Sequence, residues 1–551
     1  MLTQMKNFFK NHSWLVFALI AIGLIYPSFQ SGYIFSLDWA VKPFITFSDL
    51  NWYDPLGWIV CDFFSVIFTF AIFQRIFLFG LLFLLGLAGF RLVKKTNNLY
   101  AQYFSGLLLI FNPFIYARIV EQTMMIGAGS VAFFWFWIFL LEALEEGSWR
   151  KYFSSALIGG LAVSFFAHSA FFVGVVLAIF LLADYVRDKK WKVLAKRLFF
   201  FWLIVFVLNS NWIVATLSGS ETWISGVRNF TQNDIETFRT RSIGDNSIFT
   251  TVLSMQGYWG EYQERFTSIQ DNPFWKLAFI LIFALAVFGL IGLWRKKAEV
   301  RPFLLLFLLA FVLAVGIASP IFKPFTLFLY QHVPFYLGLR EPQKWVVILV
   351  FIYSYLGGWG VKQLLDIKKT KSYHKELGIF CAILPIIFSF SMLRGMHEHV
   401  VPRNFPVEWQ SAKDYIETNQ TDGKILFFPW HSYLKLDFAG KNITNPAKTY
   451  FGNGMISGDN TEFGKVYSHS FDEQTLGIEE YVSKGNDLLE NANYENFSSD
   501  MSEMGIKMIM LAKTEDWQKY LWLETAPGVK KVLENDKLSV YELRKGKRQS
   551  K

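Results

Sequence analysis

Three groups of charged residues sit beside long apolar runs, where a charge is costly unless it is hydrated, paired or used. The first is the stretch Ser31 to Asp62, in which Asp38, Asp49, Asp54 and Asp62 face a single cation, Lys42. Aromatic residues crowd these acids, among them Tyr33, Trp39, Trp52, Tyr53 and Trp58. A carboxylate in such a partly dry setting can have its pKa adjusted to take a proton from a hydroxyl nucleophile. Asp38, in IFSLDWAVKP, is the first candidate for that base. The competing reading makes it a loop or cap residue bonded to backbone amides. Asp54, directly before Pro55, reads as a turn residue.

The second group is Arg340-Glu341-Pro342-Gln343-Lys344. Pro342 prevents a regular helix from running through it. Two cations four positions apart, flanking an acid at a membrane interface, can hold a phosphate or pyrophosphate, Arg as a planar fork and Lys as a point charge. The bland alternative is snorkelling, with Arg340 and Glu341 paired to each other. The third group is NPFIYAR, Asn112 to Arg118, followed by Glu121. Pro113 should end or kink its helix. Arg118 and Glu121, three apart, can pair on one face, and either can reach the same cavity as the second group. His332 and His431 stand alone, without a second ligand at metal spacing. The sequence shows no Ser-His-Asp order, phosphate-binding glycine loop or cysteine cluster. Cys61 and Cys381 lie in or beside apolar runs and read as structural.

The elements that must position these groups are membrane spans. Of 551 residues, 53% are hydrophobic and 18% charged, with 60 Phe and 20 Trp, which is not a soluble composition. A bilayer needs about 20 predominantly apolar residues per helix. Such runs fall at 14–30, 75–93, 99–116, 126–143, 152–167, 170–185, 198–216, 274–293, 302–318, 345–361 and 377–394. The first is too long and too aromatic for a cleaved signal peptide and is expected to be an anchor. With the N-terminus inside, the inner loops carry 22 Lys and Arg and the short outer loops 5, which supports that topology. Two readings of the count stay open: residues 63–74 either form an interfacial helix or lengthen the second span, and the tight hairpin at Ala167-His168-Ser169 joins either two spans or one re-entrant pair.

Three large segments then share the outer face: the loop 31–62, the loop 217–272, and everything after Arg394. The last reads as an α/β domain, with a helix over Val407 to Asn419 and strands over Lys424 to Phe428, Met508 to Leu511 and Leu538 to Leu543. From Val400 onward 19 Lys and Arg meet 22 Asp and Glu, so the net charge of +9 belongs to the inner loops and not to a nucleic-acid surface. The expected fold is a polytopic α-helical membrane protein of about 11 transmembrane helices, residues 1–394, with a C-terminal extracytoplasmic α/β domain, residues 395–551. Asn229 and Asn442 head N-x-Thr sequons on the outer side of this topology.

The odd span count, the acidic first outer loop and the outer α/β domain resemble the GT-C class of polytopic glycosyltransferases. GYIFSLDW, NPFIYAR, MQGYWGE, LREPQKW and FFPWHSY are similar to stretches of bacterial and archaeal proteins distantly related to the arabinofuranosyltransferase and oligosaccharyltransferase groups. The resemblance implies a polyprenyl-phosphate sugar donor and an inverting transfer to a glycan, lipid or protein acceptor of the cell envelope, at the outer face of the cytoplasmic membrane. It implies Asp38 as base. Arg340 and Lys344, with Arg118, are then expected to hold the donor phosphate, and Glu341 and Glu121 are further substrate-binding candidates. Trp430, His431 and Tyr433 become candidates for acceptor contacts. Many members carry paired acids in the first outer loop; this chain has Asp38-Trp39 there, so use of a divalent metal such as Mg or Mn stays open. A lipid-sugar flippase or exporter, and a non-catalytic scaffold of envelope polysaccharide assembly, are the alternative functions.

Overall fold

The computed structural model describes residues 11–121, 123–218, 232–294, 300–367, 372–419, 423–452, 454–458, 478 and 497–544. The sequon at Asn229 lies outside them. Contacts divide the chain into two compact units, one made of Met1–Phe29, Leu50–Phe64 and Ile72–Val401, the other of Gln30–Asp49, Ser65–Ala71 and Pro402–Lys551. The stretch holding Asp38 thus groups with the C-terminal part of the chain and with Ser65–Ala71, Trp39 meeting the Phe70 ring at 5.1 Å.

The first unit is helical. Its main helices are α1 (Ser13–Ile25), α2 (Leu56–Phe68), α3 (Phe70–Leu92), α4 (Leu99–Ile110), α5 (Pro113–Val120), α6 (Met124–Glu146), α7 (Trp149–Phe165), α8 (Ser169–Asp188), α9 (Trp191–Leu217), α10 (Trp275–Trp294), α11 (Val300–Val315), α12 (Val346–Asp366) and α13 (His374–Phe388). All eleven apolar runs fall on helices, with breaks at 111–112 and at Ser389 inside two of them. Among the described residues eight helices are long and apolar enough to cross a membrane, nine if α13 and the segment after it, bent by 70°, count as one. The shortfall against eleven has a local cause. α1 gives way to a 3-10 turn at Tyr26, and α7 has 17 residues. Residues 63–74 divide at Thr69, whose φ of 65° separates α2 from α3.

Burial sorts these helices. α12 is apolar on all sides and almost wholly enclosed, whereas most of α9 faces outward, as a lipid-facing helix should. Phe351 of α12 stacks on Trp137 of α6 with ring centroids 4.1 Å apart. α10 crosses α12 at Gly289 and Gly360, each of which lies against a carbonyl of the other helix, Leu356 O and Leu285 O, with no room for a Cβ. Small residues at such a crossing let the backbones meet, the usual device where hydrocarbon surrounds the helices.

In the second unit, a five-stranded sheet runs in the order β4-β1-β5-β7-β6, and β2 and β3 form a separate two-stranded ladder. The strands are β1 (Lys424–Phe428), β2 (Tyr433–Leu436), β3 (Lys441–Thr444), β4 (Met455–Ser457), β5 (Ile506–Ala512), β6 (Val529–Glu534) and β7 (Leu538–Leu543). β4, β1 and β5 are parallel; β7 and β6 are antiparallel. α14 (Val407–Thr418) precedes β1. The acidic loop joins this unit through backbone pairing: Tyr33 N donates to Arg403 O at 2.8 Å and Arg403 N to Tyr33 O at 2.9 Å. Phe35 then meets Phe405 and Phe438, and Phe44 meets Tyr450, in a cluster around Trp409. The Lys413 ammonium stands 3.2 Å from the centre of the Phe44 ring.

Candidate functional site

The NPF sequence builds the first part of the site in the helical unit. α4 ends at Ile110, and the Asn112 side chain closes the break on both sides. Its Oδ1 accepts from Ile115 N at 3.0 Å and its Nδ2 donates to Leu108 O and Leu109 O. With Pro113 at the first helical position, where its missing N–H costs nothing, α5 starts afresh and is buried along its whole length. That places Arg118 in the interior, 1% exposed. Its Cζ lies 4.5 Å from the centre of the Tyr258 ring and 5.2 Å from that of Phe114. Its Nε and Nη1 are buried and make no hydrogen bond among the described residues.

LREPQKW supplies the second part. A 3-10 turn over Pro342–Trp345 leads into α12 and turns Lys344 inward. Lys344 Nζ sits 3.3 Å from Glu341 Oε2, and Arg118 Nη1 4.0 Å from the same oxygen. The Arg340 guanidinium lies over Phe238 at 4.8 Å and the Lys344 ammonium over Phe166 at 5.0 Å. Burial would push the Glu341 carboxyl up, but Lys344, Arg118 and Arg340 outweigh it and hold its pKa below the ordinary value. Glu341 is therefore ionised. Arg118, Arg340 and Lys344 are the cations that act on it. The Gln343 side chain is buried beside them, with neither its Oε1 nor its Nε2 hydrogen-bonded among the described residues.

His168, in the turn between α7 and α8, belongs to the same neighbourhood. Burial, then the charges of Lys344 and Arg340, drive its pKa well below 6.5, so it is neutral. Glu121 does not face Arg118. It accepts from Tyr258 OH at 3.5 Å and pairs with Arg265 Nη1 at 3.4 Å, because it caps the end of α5 and points to the loop after α9. That loop holds Glu261, whose carboxyl is pushed up to about 7 by burial, against the pull of hydrogen bonds from Ser268 and Gln256 at 2.7 and 2.8 Å. Gly257, at φ 113°, lets the loop run against Thr240 and Gln343.

Of the residues singled out in the sequence, Arg118, Arg340, Glu341 and Lys344 come together, and Glu121 joins them through Tyr258. Arg265, His168, Gln343 and Glu261 are additions. Glu261 lay in the quoted motif MQGYWGE and Gln343 in LREPQKW, while nothing in spacing linked Arg265 or His168 to Arg118. Of the other candidates, Asp38, Asp49, Trp430 and His431 belong to the second unit and Asp54 and His332 to the first. Asp38 is exposed, on a turn where Trp39 N donates to Ser36 Oγ at 2.8 Å and Ser36 O accepts from Thr444 N at 3.1 Å. Asp49 bonds Thr46 N and Oγ1, and Asp54 Oδ1 accepts from Asn51, as turn residues do. Trp430 is 2% exposed and packs in the core of the sheet, so its ring has no open face for stacking. His431 follows β1 and its Nε2 meets Asp516 Oδ1 at 2.8 Å, just past β5; Lys519 Nζ lies 3.1 Å from the other oxygen. Burial raises the Asp516 carboxyl, but His431 and Lys519 bring it down to about 2. The dyad stands at the carboxyl ends of two neighbouring parallel strands, where open α/β sheets bind ligands. His332 is exposed and stacks on Phe328. Among the described residues no three His, Cys, Asp or Glu converge to hold a metal ion.

No family model matches the chain, and the curated proteins gave no match. Solved structures do match. A mycobacterial arabinofuranosyltransferase, AftD, superposes with a TM-score of 0.62 at 13% identity, covering 97% of this chain and 40% of its own. The Archaeoglobus fulgidus oligosaccharyltransferase, solved with a tethered acceptor peptide, superposes with a TM-score of 0.52 at 10% identity, covering 93% and 70%. The fold is therefore that of the polytopic GT-C glycosyltransferases. This chain spans about two fifths of the length of AftD.

Proposed function

We propose that this chain is a membrane glycosyltransferase that takes a sugar from a polyprenyl-phosphate donor and passes it, with inversion, to a glycan, lipid or protein acceptor of the cell envelope. The observation that carries the reading is Arg118: a buried guanidinium whose Nε and Nη1 make no hydrogen bond among the described residues, beside Lys344 and Glu341. A buried charge short of partners costs several kcal/mol, and an anion that enters recovers that cost. A phosphate suits the geometry, since Arg118 and Arg340 offer planar forks, Lys344 a point charge, and Glu341 keeps the cations apart.

In the reaction the acceptor oxygen forms a bond to the anomeric carbon while the bond from that carbon to the phosphate oxygen breaks. The lipid phosphate leaves with the electron pair of that bond, and the acceptor proton passes to a base. We assign the base to Asp38, on its exposure and on the place that the class resemblance gives it. The cation cluster lowers the barrier by stabilising the charge that grows on the leaving phosphate. His431, oriented by Asp516, is proposed as an acceptor contact. The orientation follows from the Lys/Arg bias: N-terminus inside, C-terminal unit outside, in the cytoplasmic membrane.

The test is an assay of purified protein with radiolabelled polyprenyl-phosphate sugars, with binding and transfer measured separately. Transfer that is lost in Arg118→Gln together with donor binding supports the reading. Donor binding that survives intact in Arg118→Gln refutes the phosphate site. Binding without any transfer by the unaltered protein favours a carrier or scaffold.

A further inference from the structure

We infer that the end of the helical unit bearing the Lys/Arg-rich connections holds a specific site for a phospholipid with an anionic head group. A cavity of about 1340 Å³ opens there between α3, α6, α8, α11 and α12, larger than the ~300–1,000 Å³ of ordinary small-molecule sites. Its inner wall is apolar, formed by Phe180, Phe303, Tyr355 and Trp359 among others, and its rim is charged. Six cations and four acids line it.

The pairing within the rim decides what it can bind. Glu142 takes a bidentate hydrogen bond from Arg91, both contacts at 2.8 Å, and a second cation, Lys151, at 2.9 Å. Glu145 pairs with Lys95, Glu146 with Lys151, and Asp184 with Arg187 and Arg197. Every acid of the rim is thus neutralised. Lys94 and Arg301 enter no ion pair among the described residues, and both line the cavity. The result is an apolar slot between membrane-crossing helices with two unspent cations at its mouth. A head-group phosphate on Lys94 and Arg301, with acyl chains along Phe180, Phe303 and Trp359, satisfies both parts. Basic pockets between helices at this face of a membrane take anionic head groups in the same way. A free phosphate would leave the apolar wall uncovered, and a zwitterionic lipid would bring its own cation to the rim.

Native mass spectrometry of the purified full chain, titrated with phosphatidylglycerol or phosphatidylcholine, tests this. Phosphatidylglycerol should be retained roughly tenfold more strongly, as two nearby cations would produce. The double variant Lys94→Glu/Arg301→Glu touches neither the rim ion pairs nor the cluster at Arg118, and should abolish that preference. Leu141→Trp, which adds bulk to the lining without changing charge, should weaken phosphatidylglycerol binding as well. Equal retention of the two lipids by the unaltered protein overturns the inference. So does a Leu141→Trp protein that melts normally and binds phosphatidylglycerol unchanged, since the attraction would then be one of surface charge without a slot.

Discussion

Arg118 Nη1 stands 4.0 Å from Glu341 Oε2, beyond hydrogen-bond range but close enough for the charges to attract. The gap leaves the guanidinium donors for a third party. Replacing Arg118 with Gln should remove donor binding and lower kcat/KM by roughly a hundredfold, the loss of about 3 kcal/mol expected for a charged hydrogen-bond partner. Arg118→Lys keeps the charge and loses the fork, so it should restore only part of the activity. Steady-state kinetics with a polyprenyl-phosphate sugar, beside a direct binding measurement, check both.

Asp38→Asn should leave donor binding intact and abolish transfer, because the amide cannot accept the acceptor proton. The loss should reach at least the roughly 10²- to 10⁴-fold typical of general base catalysis. Turnover by Asp38→Asn equal to that of the unaltered protein would remove Asp38 from the reaction.

Glu261 gives a pH signature of stability. Its carboxyl is raised to about 7 in the folded protein, so between the unfolded value and 7 the folded state holds the extra proton. Stability is therefore full at low pH and declines as pH rises toward 7, by on the order of 3 kcal/mol if the shift is fully expressed. Glu261→Gln keeps an acceptor for Ser268 and Gln256 and carries no charge. Melting temperatures at pH 5 and pH 8 should differ less in this variant, and it should be the more stable protein at pH 8.

Gly360→Ala should destabilise the helical unit by about 1–3 kcal/mol, the cost of overpacking a tight contact. Gly289→Ala should do the same, and the double variant should cost less than the sum, since one separation of α10 from α12 accommodates both methyls. Thermal unfolding in detergent measures this.

His431→Ala should raise the KM for the acceptor with little change in donor binding, and Asp516→Asn should shift it in the same direction, since Asp516 orients the ring. An unchanged acceptor KM in both variants would take the dyad out of acceptor recognition.

The spans were legible because twenty apolar residues in a row leave few alternatives, and the strands KILFF and LSVYEL because their runs are short and bounded. Trp430 looked available for stacking only because a tryptophan beside a histidine invites it, while the alternation that buries it depends on the whole sheet. Arg118 and Lys344 could be suspected from cations standing where cations are scarce. Their meeting at Glu341 could not, because it depends on the break at Asn112 and the turn at Pro342 aiming two distant helices at one point. Arg265 and His168 had no local signal at all, since each owes its place to a neighbour far away in sequence. The partnership of Gln30–Asp49 with the C-terminal unit was equally hidden, for the pairing of Tyr33 with Arg403 leaves no trace in either stretch.

That pairing sets a clock on biogenesis. Tyr33 and Arg403 are 370 positions apart, and at about 5–20 residues per second the ribosome needs roughly 20–70 s to deliver the second after the first. Throughout that interval Phe35 and Phe44 have no aromatic partners from the C-terminal unit, so the segment bearing Asp38 waits as an exposed, sticky ribbon. A chain cut short before Arg403 can insert its helices yet keeps that ribbon unsheathed, a mark by which membrane proteases could tell an unfinished molecule from a mature one.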